Sequence, residues 1–251
     1  MHRARLKTEA VVKKTVVILL CLLLSFTPLT LADTASAYKV GDIVTLGSWG
    51  GEPVEWQILE DMGDGTYILL SVKGLDTVPY HTKDTKVTWE KCSLRAWLNG
   101  EFYEKAFSAD EKKQLVRSTL KNPDNKTFGT KGGKPTEDYV YLLNLGDVER
   151  YYGLNDLYGG SKDRSRYGCE ALLCMPSETA LRHGAYTMPQ ESAKSLQAKY
   201  SYPLPGGTCC WWLRGPGFLS APFIDCSGNV CFGTEADTAD YCVRPVIRAR
   251  L

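Results

Sequence analysis

Cysteine and histidine are the residue types suited to nucleophilic and metal-binding chemistry, and cysteine is the more numerous of the two in this chain. The chain has 251 residues, with nine cysteines and only three histidines. An even number of cysteines in an exported chain is typical of disulfides. Eight cysteines follow residue 37, namely Cys92, Cys169, Cys174, Cys209, Cys210, Cys226, Cys231 and Cys242.

One local pair of cysteines suits a bridge across a β-hairpin. A two-residue turn at Gly228-Asn229 places Cys226 directly opposite Cys231, close enough for a cross-strand disulfide. A turn at Ser227-Gly228 shifts the register and removes the bridge. The turn residues allow both registers, so both stay open, with Cys226 and Cys231 as the disulfide candidates.

Sequence patterns for metal binding and catalysis are weak. The four residues between Cys169 and Cys174 differ from the two-residue spacing of zinc-binding pairs. The chain lacks the Gly-x-Ser-x-Gly and His-Glu-x-x-His motifs. Cys92 and His183 could act as nucleophile and base, but Cys92 precedes an apolar helical face, where a thiol is normally buried. We therefore predict no catalytic residue, no metal site and no cofactor.

One acidic loop has ligands suited to calcium. Glu235, Asp237 and Asp240 lie within six residues of one another, and Ca²⁺ prefers oxygen ligands. A solvated acidic loop is the simpler interpretation, and calcium binding there stays an open question.

Aromatic and polar residues near the end of the chain indicate a recognition surface. The adjacent Trp211 and Trp212 face opposite sides of a strand, so we expect one in the core and the other free to stack on a sugar or a partner. We expect Arg214 and Arg244 to fix the strands through carboxylates or carbonyls. Exposed aromatic and polar groups together suit carbohydrate or protein recognition. The predicted ligand-binding residues are Trp212, Phe218, Ser220, Asn229, Phe232, Asp240 and Tyr241.

Four short strands are expected to position these residues. Aromatic and β-branched residues at short spacing, interrupted by Gly, Pro and Asn, are typical of an antiparallel meander. The predicted strands are Thr208–Arg214, Ala221–Cys226, Val230–Gly233 and Tyr241–Arg250. The preceding stretch, Tyr186–Gly206, contains three prolines and is interpreted as a linker.

The rest of the chain predicts more strands and a few short helices. A capping box, Ser108 to Glu111, and a cap at Ser93 indicate helices that cover a sheet. The predicted strands at the start are Asp42–Leu46, Val54–Leu59 and Tyr67–Val72.

Residues 1–37 have the order of a secretory signal peptide. Basic residues precede the apolar run Val16–Leu24, and Ala35-Ser36-Ala37 offers a cleavage site. The apolar run is short for a membrane span.

The leader carries five basic and two acidic residues, which leaves 25 basic and 27 acidic residues and a net charge of −2 for the rest of the chain. This balance favours neither nucleic acid nor an anionic membrane. We expect a secreted or cell-surface protein without stable membrane insertion.

Several motifs along the chain resemble those of one protein family. The chain is similar to a large uncharacterised family of exported bacterial proteins known as a domain of unknown function. The resemblance implies no established activity. The motifs that carry it are Gly41-Asp42-Ile43-Val44, Val54-Glu55-Trp56, Thr88–Asn99, Thr136–Leu143, Trp211–Gly217 and Val243-Arg244-Pro245-Val246.

A more distant similarity points to bacterial C-type-lectin-like domains, which include relatives of formylglycine-generating enzymes and retroelement-diversified ligand-binding proteins. The chain lacks the Glu-Pro-Asn and Trp-Asn-Asp motifs of calcium-dependent sugar binding. The matching residues are Pro176-Ser177-Glu178, Trp211-Trp212, Ser227-Gly228-Asn229 and Val243-Arg244.

Together these observations predict an α+β, C-type-lectin-like fold with an antiparallel C-terminal meander, short covering helices and a β-rich N-terminal part. We expect a signal peptide at 1–37, a β-rich subdomain at 38–80 and a lectin-like domain at 81–251. The expected function is non-catalytic binding of a glycan or a surface protein. The alternative is an enzyme acting on cell-wall or glycan material.

Overall fold

A computed structural model describes residues 38–155, 157, 167–218 and 221–251. The predicted signal peptide, residues 1–37, and the predicted site residue Ser220 lie outside the described residues. The unit that contains the described residues runs from Ser36 to Leu251.

The described chain contains twelve strands and six α-helices, which confirms the α+β class. The strands are β1 Ile43–Trp49, β2 Glu52–Asp61, β3 Thr66–Ser71, β4 Asp76–Thr77, β5 Ser118–Leu120, β6 Thr136–Asp138, β7 Val140–Tyr141, β8 Trp211–Trp212, β9 Ala221–Ile224, β10 Val230–Thr234, β11 Cys242–Val243 and β12 Val246–Arg250. The helices are α1 Ser93–Trp97, α2 Tyr103–Ala106, α3 Ala109–Gln114, α4 Leu145–Tyr152, α5 Glu178–Arg182 and α6 Gln190–Leu196. None of them, within the described ranges, has the length and apolarity to span a bilayer.

The first five-stranded sheet has the order β1-β2-β3-β12-β7, and every neighbouring pair in it is antiparallel. The three strands predicted near the start of the chain are confirmed as β1, β2 and β3. Val54, Trp56 and Ile58 alternate along β2 and are all buried, as the period of two along a strand requires. These side chains form part of the core beneath the helices.

The second five-stranded sheet, β10-β9-β8-β11-β4, departs from the predicted meander. Strands β8, β9 and β10 are antiparallel neighbours, but β11 pairs with β8 in parallel and β12 belongs to the first sheet. The predicted strand Tyr241–Arg250 is therefore interrupted at Arg244 and Pro245. Proline has no N–H to donate to a ladder, while its carbonyl accepts a hydrogen bond of 2.9 Å from Ser71 N.

The two sheets combine segments from both ends of the chain. Strand β3 pairs with β12, and β4 pairs with β11. The boundary predicted at residue 80 therefore does not separate one sheet from the other.

Helix α3 begins with the predicted capping box. The hydroxyl of Ser108 accepts from Glu111 N, and Glu111 Oε2 accepts from Ser108 N at 2.8 Å. Glu111 Oε1 also accepts from Gly47 N at 2.8 Å, which ties α3 to the irregular part of β1. Gly47 has φ +74°, and a Cβ there would lie 2.6 Å from the carbonyl oxygen of Ala106, so the close approach requires glycine.

Two local predictions differ from the structure. Helix α1 is capped by Cys92, whose sulfur accepts from Arg95 N at 3.4 Å, rather than by Ser93. The stretch Tyr186–Gly206, interpreted as a linker, contains α6 and a 3-10 helix at Gln197–Lys199.

Candidate functional site

The predicted ligand-binding residues that the structure describes lie in different parts of the surface and core. Trp212 and Tyr241 belong to an aromatic cluster with Phe223, in which the Trp212 and Tyr241 ring centroids are 5.0 Å apart. Asp240 is next to this cluster, and its carbonyl accepts from Tyr186 N at 3.0 Å. Tyr241 and Asp240 are both partly exposed.

The prediction that Trp212 contacts a ligand needs correction. Trp211 and Trp212 are both fully buried, because both faces of β8 are covered. Trp211 Nε1 donates to Leu172 O at 3.0 Å on one side, and Trp212 packs on Tyr80 on the other. A ring with no exposed surface cannot stack on a sugar, so both tryptophans belong to the core.

Phe218 and Phe232 form a second cluster around Phe128. Their ring centroids lie 5.4 and 5.5 Å from that of Phe128. The Phe218 residue is 57% exposed, whereas Phe232 is half-buried. An aromatic residue this exposed can contact a partner.

Asn229 lies in a groove of its own, of about 310 Å³, which we call the Asn229 groove. Of the predicted ligand-binding residues that the structure describes, only Asn229 lines it. The residues that give it polar and aromatic character are Lys199, Tyr200, Ser201, Tyr202, Asp225 and Asn229.

Two tyrosines form one wall of the Asn229 groove. The rings of Tyr200 and Tyr202 are 5.4 Å apart at 61°, and both residues are half-buried. Asn229 Nδ2 donates to the Tyr200 hydroxyl at 2.7 Å, and the Tyr202 hydroxyl donates to Ser227 O at 2.7 Å. Burial raises the pKa of Tyr202, so its phenol keeps the proton that it donates. Both rings are therefore held in place by hydrogen bonds.

Asp225 organises the turn that forms the opposite wall. Its Oδ1 accepts from Ser227 N at 2.8 Å and Asn229 N at 3.0 Å, and its Oδ2 accepts from Asn229 Nδ2 at 3.1 Å. Gly228 has φ +80°, and a Cβ there would lie 2.7 Å from Cys169 O. The amide and carboxylate thus have fixed orientations before any ligand arrives.

The same turn does not give the register that the candidate Cys226–Cys231 bridge needs. In the observed register Val230 pairs with Ile224, and Cys231 pairs with Phe223. The turn spans more residues than the two assumed, because the Asp225 side chain closes it, so Cys226 does not face Cys231. Among the described residues no cysteines stand at disulfide distance.

The thiols nevertheless influence one another. The Cys210 thiol lowers the pKa of Cys226. A separate row comprises Cys174, Cys209 and Cys242, in which the Cys209 thiol donates to Cys174 O at 3.4 Å. All three cysteines of this row are buried.

A histidine and a carboxylate meet at a different groove. His183 Nδ1 lies 2.6 Å from Asp76 Oδ1, and Trp49 Nε1 donates to Asp76 Oδ2 at 2.8 Å. Asp76 is buried, while the His183 side chain is 53% exposed. A histidine whose Nδ1–H is bound to a carboxylate presents Nε2 as a proton acceptor. The pair lies beside a groove of about 410 Å³, the Trp49 groove, lined in part by Trp49, Glu101, Lys105, Thr179, Arg182 and His183.

Cys92 does not have the properties of a nucleophile that uses His183 as its base. Burial raises the pKa of its thiol to about 12, so the thiolate needed for nucleophilic attack is scarce at neutral pH. The side chain that His183 contacts is the Asp76 carboxylate. The structure therefore does not bring Cys92 and His183 together as nucleophile and base.

The acidic loop shows local hydrogen bonds only. Glu235 Oε2 accepts from Thr234 Oγ1 at 3.0 Å, and hydrogen bonds from its own backbone and from Thr234 lower the Glu235 pKa. Across the described ranges, no three His, Cys, Asp or Glu side chains converge as a metal site would require.

The arginines of the sequence motifs are structural. Arg214 is buried and donates to Leu142 O, Lys121 O and Asn122 Oδ1, and it forms an ion pair with Asp147 at 3.3 Å. As predicted, it binds carbonyls and a carboxylate rather than a surface ligand. These residues hold strands and loops together.

Sequence reasoning missed Tyr200, Tyr202 and Asp225 at the Asn229 groove. The two tyrosines lie in the segment interpreted as a linker, 25 and more residues before the turn that they contact. An aspartate two residues before Ser227-Gly228 was an available signal, since aspartate often closes such turns with its side chain.

Comparisons with known proteins place the chain in a family without indicating an activity. No curated protein matches the chain. No solved structure matches it either. The sequence profile of the family described as "Domain of unknown function (DUF6273)" matches residues 64–248, which is most of the chain. The chain therefore belongs to the DUF6273 family.

Proposed function

We propose that this protein is an exported, non-catalytic binding module that recognises a glycan through the Asn229 groove. The observation that carries the proposal is the pairing of two half-exposed tyrosine rings with an oriented amide and carboxylate. A sugar presents C–H faces that pack on aromatic rings and hydroxyls that bind such polar groups. A surface protein is the other ligand class for the same groove.

The size and charge of the Asn229 groove favour a small neutral ligand. Its volume of about 310 Å³ lies at the lower end of the range for ligand pockets, about 300–1,000 Å³. Lys199 and Asp225 give it one positive and one negative charge. One or two sugar units fit this description better than a long charged polymer does.

We also propose that the fold is that of a C-type-lectin-like domain. The Pro-Ser-Glu motif begins α5, where Ser177 Oγ accepts from Ala180 N and donates to Leu75 O. Two other motif residues, Trp211 and Arg244, contact each other in the core. This contact supports the proposal because it joins two of the four matching motifs in the core.

Export supports the choice of ligand class. The sequence of residues 1–37 has the order of a signal peptide, and a secreted or cell-surface protein meets glycans and surface proteins. We propose that localisation together with the function.

A glycan array with matched variants tests the proposal. Residues 38–251 are applied as wild type, as Tyr200→Ala and as Tyr186→Ala, where Tyr186 is a 46% exposed tyrosine outside the groove. We expect wild type and Tyr186→Ala to bind the same glycans. Losing a central aromatic contact should raise the Kd of Tyr200→Ala about tenfold or more. Equal binding by all three proteins would contradict the proposal.

A pull-down on the same variants distinguishes the two ligand classes. Binding of glycosidase-treated surface proteins that requires Tyr200 would assign the groove to a protein ligand. Loss of binding after that treatment would assign it to a glycan.

The second candidate function is an enzyme acting on cell-wall or glycan material. The Asp76–His183 pair at the Trp49 groove favours it, because an oriented imidazole beside a groove can act as a general base. Soluble fragments released from purified cell walls measure this activity directly. Release that is lost in His183→Ala and kept in His81→Ala would support the enzyme, whereas equal release by wild type and His183→Ala would exclude His183 as its base.

A further inference from the structure

A further groove, of about 330 Å³, has a basic lining. The described residues that line it include two lysines and no Asp or Glu. It shares no lining residue with the Asn229 groove or the Trp49 groove. We call it the Lys86 groove, and it is lined in part by Lys86, Gly129, Thr130, Lys131, Pro216 and Gly217.

Hydrogen bonds from a buried asparagine and a threonine fix the walls of the Lys86 groove. Asn125 Nδ2 donates to Pro216 O at 3.1 Å, and Asn125 is fully buried. The backbone of Asn125 also pairs with that of Thr130, with N to O distances of 2.9 and 3.1 Å. Thr130 Oγ1 donates to Gly217 O at 2.9 Å. These two segments of the wall therefore keep their positions without a ligand.

The segments that carry the two lysines concentrate positive charge. Residues 81–91 and 121–134 together contain seven lysines and three acidic residues. The chain after residue 37 has 25 basic and 27 acidic residues, so 18 basic and 24 acidic residues remain for the rest of it. The two segments are in contact, since Lys134 N donates to Glu90 Oε2 at 3.1 Å. This part of the surface therefore attracts anions, although the chain as a whole does not.

Both ammonium groups of the groove are accessible to a ligand. Lys86 is exposed and forms no ion pair with a carboxylate in the part of the chain that the structure describes. Lys131 pairs with Asp124 at 2.7 Å, but its side chain is 82% exposed. An exposed ion pair contributes little free energy. Asp124 Oδ1 also accepts from Gly132 N at 3.0 Å, so Asp124 keeps a partner when Lys131 turns to a ligand.

An aromatic surface lies beside the lysines. Phe128 precedes Gly129 and Phe218 follows Gly217, and the two ring centroids are 5.4 Å apart. The Phe218 residue is 57% exposed, so the C–H face of a sugar can pack on its ring. Because Thr130 Oγ1 is the donor to Gly217 O, its lone pairs can accept from a sugar hydroxyl.

We propose that the Lys86 groove binds charged sugar units of an acidic polysaccharide, with the carboxylate or phosphate group of the sugar between Lys86 and Lys131. The ammonium groups match the charge, and Phe218 and Thr130 match the ring and the hydroxyls of a sugar. Proteins typically bind acidic peptide motifs through arginine clusters, and no described residue that lines this groove is an arginine. The proposal is independent of the Asn229 groove, because it concerns other residues and a charged ligand.

Binding to defined polymers tests the proposal. Polygalacturonate supplies carboxylates, poly(glycerol phosphate) supplies phosphates, and dextran is the uncharged control. We expect residues 38–251 to bind at least one of the two acidic polymers and not dextran in biolayer interferometry. The acidic polymer that binds identifies the charged group. Raising the NaCl concentration should weaken this binding, because salt screens exposed charges.

Two double variants of equal net charge locate the binding. Lys86→Gln/Lys131→Gln should raise the Kd about tenfold. Lys113→Gln/Lys194→Gln removes two exposed lysines that pair with other carboxylates, and it should bind like wild type. Tyr200→Ala should also bind like wild type, so a failure of this proposal can be distinguished from a failure at the Asn229 groove.

Three results would overturn the proposal. The first is no binding of wild type to either acidic polymer at low salt. The second is an equal Kd for the two double variants, which would show a response to net charge alone or to another site. The third is binding of polyglutamate as tight as that of the acidic polysaccharides, which would assign the groove to an acidic protein segment. The first and third results are read from wild type, so they do not depend on how a variant folds.

Discussion

The guanidinium carbon of Arg244 lies 4.9 Å from the centroid of the Trp211 ring, and both residues are buried. Arg244 Nε also donates to Ser71 O at 2.9 Å. The two residues come from different family motifs, Trp211–Gly217 and Val243–Val246, which lie far apart in the sequence. The contact shows that these motifs meet in the core, where they position the sheets rather than a ligand.

Replacing Arg214 should mainly affect stability. Arg214→Ala removes an ion pair and the hydrogen bonds to Leu142, Lys121 and Asn122. Breaking a buried pair by removing one partner costs about 3–5 kcal/mol. Urea denaturation should show this loss in the free energy of unfolding. The exposed Arg250→Ala is the control, and an equal loss in both variants would contradict the structural role.

Truncation of the buried Trp212 should cost far more stability than truncation of the exposed Phe218. Trp212→Ala leaves a cavity in the core and should lower the free energy of unfolding by about 3–5 kcal/mol. Phe218→Ala removes an exposed ring and should change it by less than about 1 kcal/mol. Chemical denaturation of the two variants measures both values. A small loss for Trp212→Ala would show that its ring is not packed as described.

Glu111 should stabilise the protein in a pH-dependent way. Hydrogen bonds from Ser108, and one from Gly47, lower the Glu111 pKa. A carboxyl with a depressed folded-state pKa adds stability above its unfolded value, about 4.3, and that stability disappears as the pH falls through the folded-state pKa.

We therefore expect Glu111→Gln to lower the free energy of unfolding by about 1 kcal/mol at neutral pH. The difference from wild type should shrink below about pH 4. Denaturation midpoints from pH 3 to 7 measure this stability difference, and the exposed Glu191→Gln is the control. A stability difference between wild type and Glu111→Gln that grows as the pH falls would contradict the lowered pKa of Glu111.

Alkylation rates should separate Cys226 from Cys92. The Cys226 pKa is lowered by the Cys210 thiol, whereas burial raises the Cys92 pKa to about 12. Iodoacetamide added to the reduced native protein at about pH 8 should label Cys226 first and leave Cys92 unlabelled. Both should react at similar rates after unfolding in urea. Native Cys92 labelling as fast as Cys226 would contradict its burial.

Local sequence signals predicted local structure well. The three N-terminal strands and the Ser108–Glu111 capping box are found where periodicity and capping rules place them. Each depends on residues close together in the sequence, so no tertiary contact was needed to infer it. The family resemblance is also confirmed by the match over residues 64–248.

Features that depend on distant residues could not be predicted in the same way. Alternation along the strand places Trp211 and Trp212 on opposite faces of the sheet. It cannot show that Tyr80 covers the face on which Trp212 lies. Asp76 and His183 are 107 residues apart, so no spacing rule links them.

The candidate groove illustrates the same limit. Tyr200 and Tyr202 lie in a proline-containing stretch that lacks the periodicity of a strand, and only the folded chain brings them to the Asp225 turn. The hairpin register was also set by a side chain, since Asp225 closes the turn between β9 and β10.

The most direct test of glycan recognition is a backbone amide NMR titration of residues 38–251 with the glycan that binds best on the array. The account predicts that the largest shift changes fall on residues 199–202 and 225–231, and that they disappear in Tyr200→Ala. Shift changes confined to Trp49, Thr179 and His183 would place the ligand at the Trp49 groove and contradict the account.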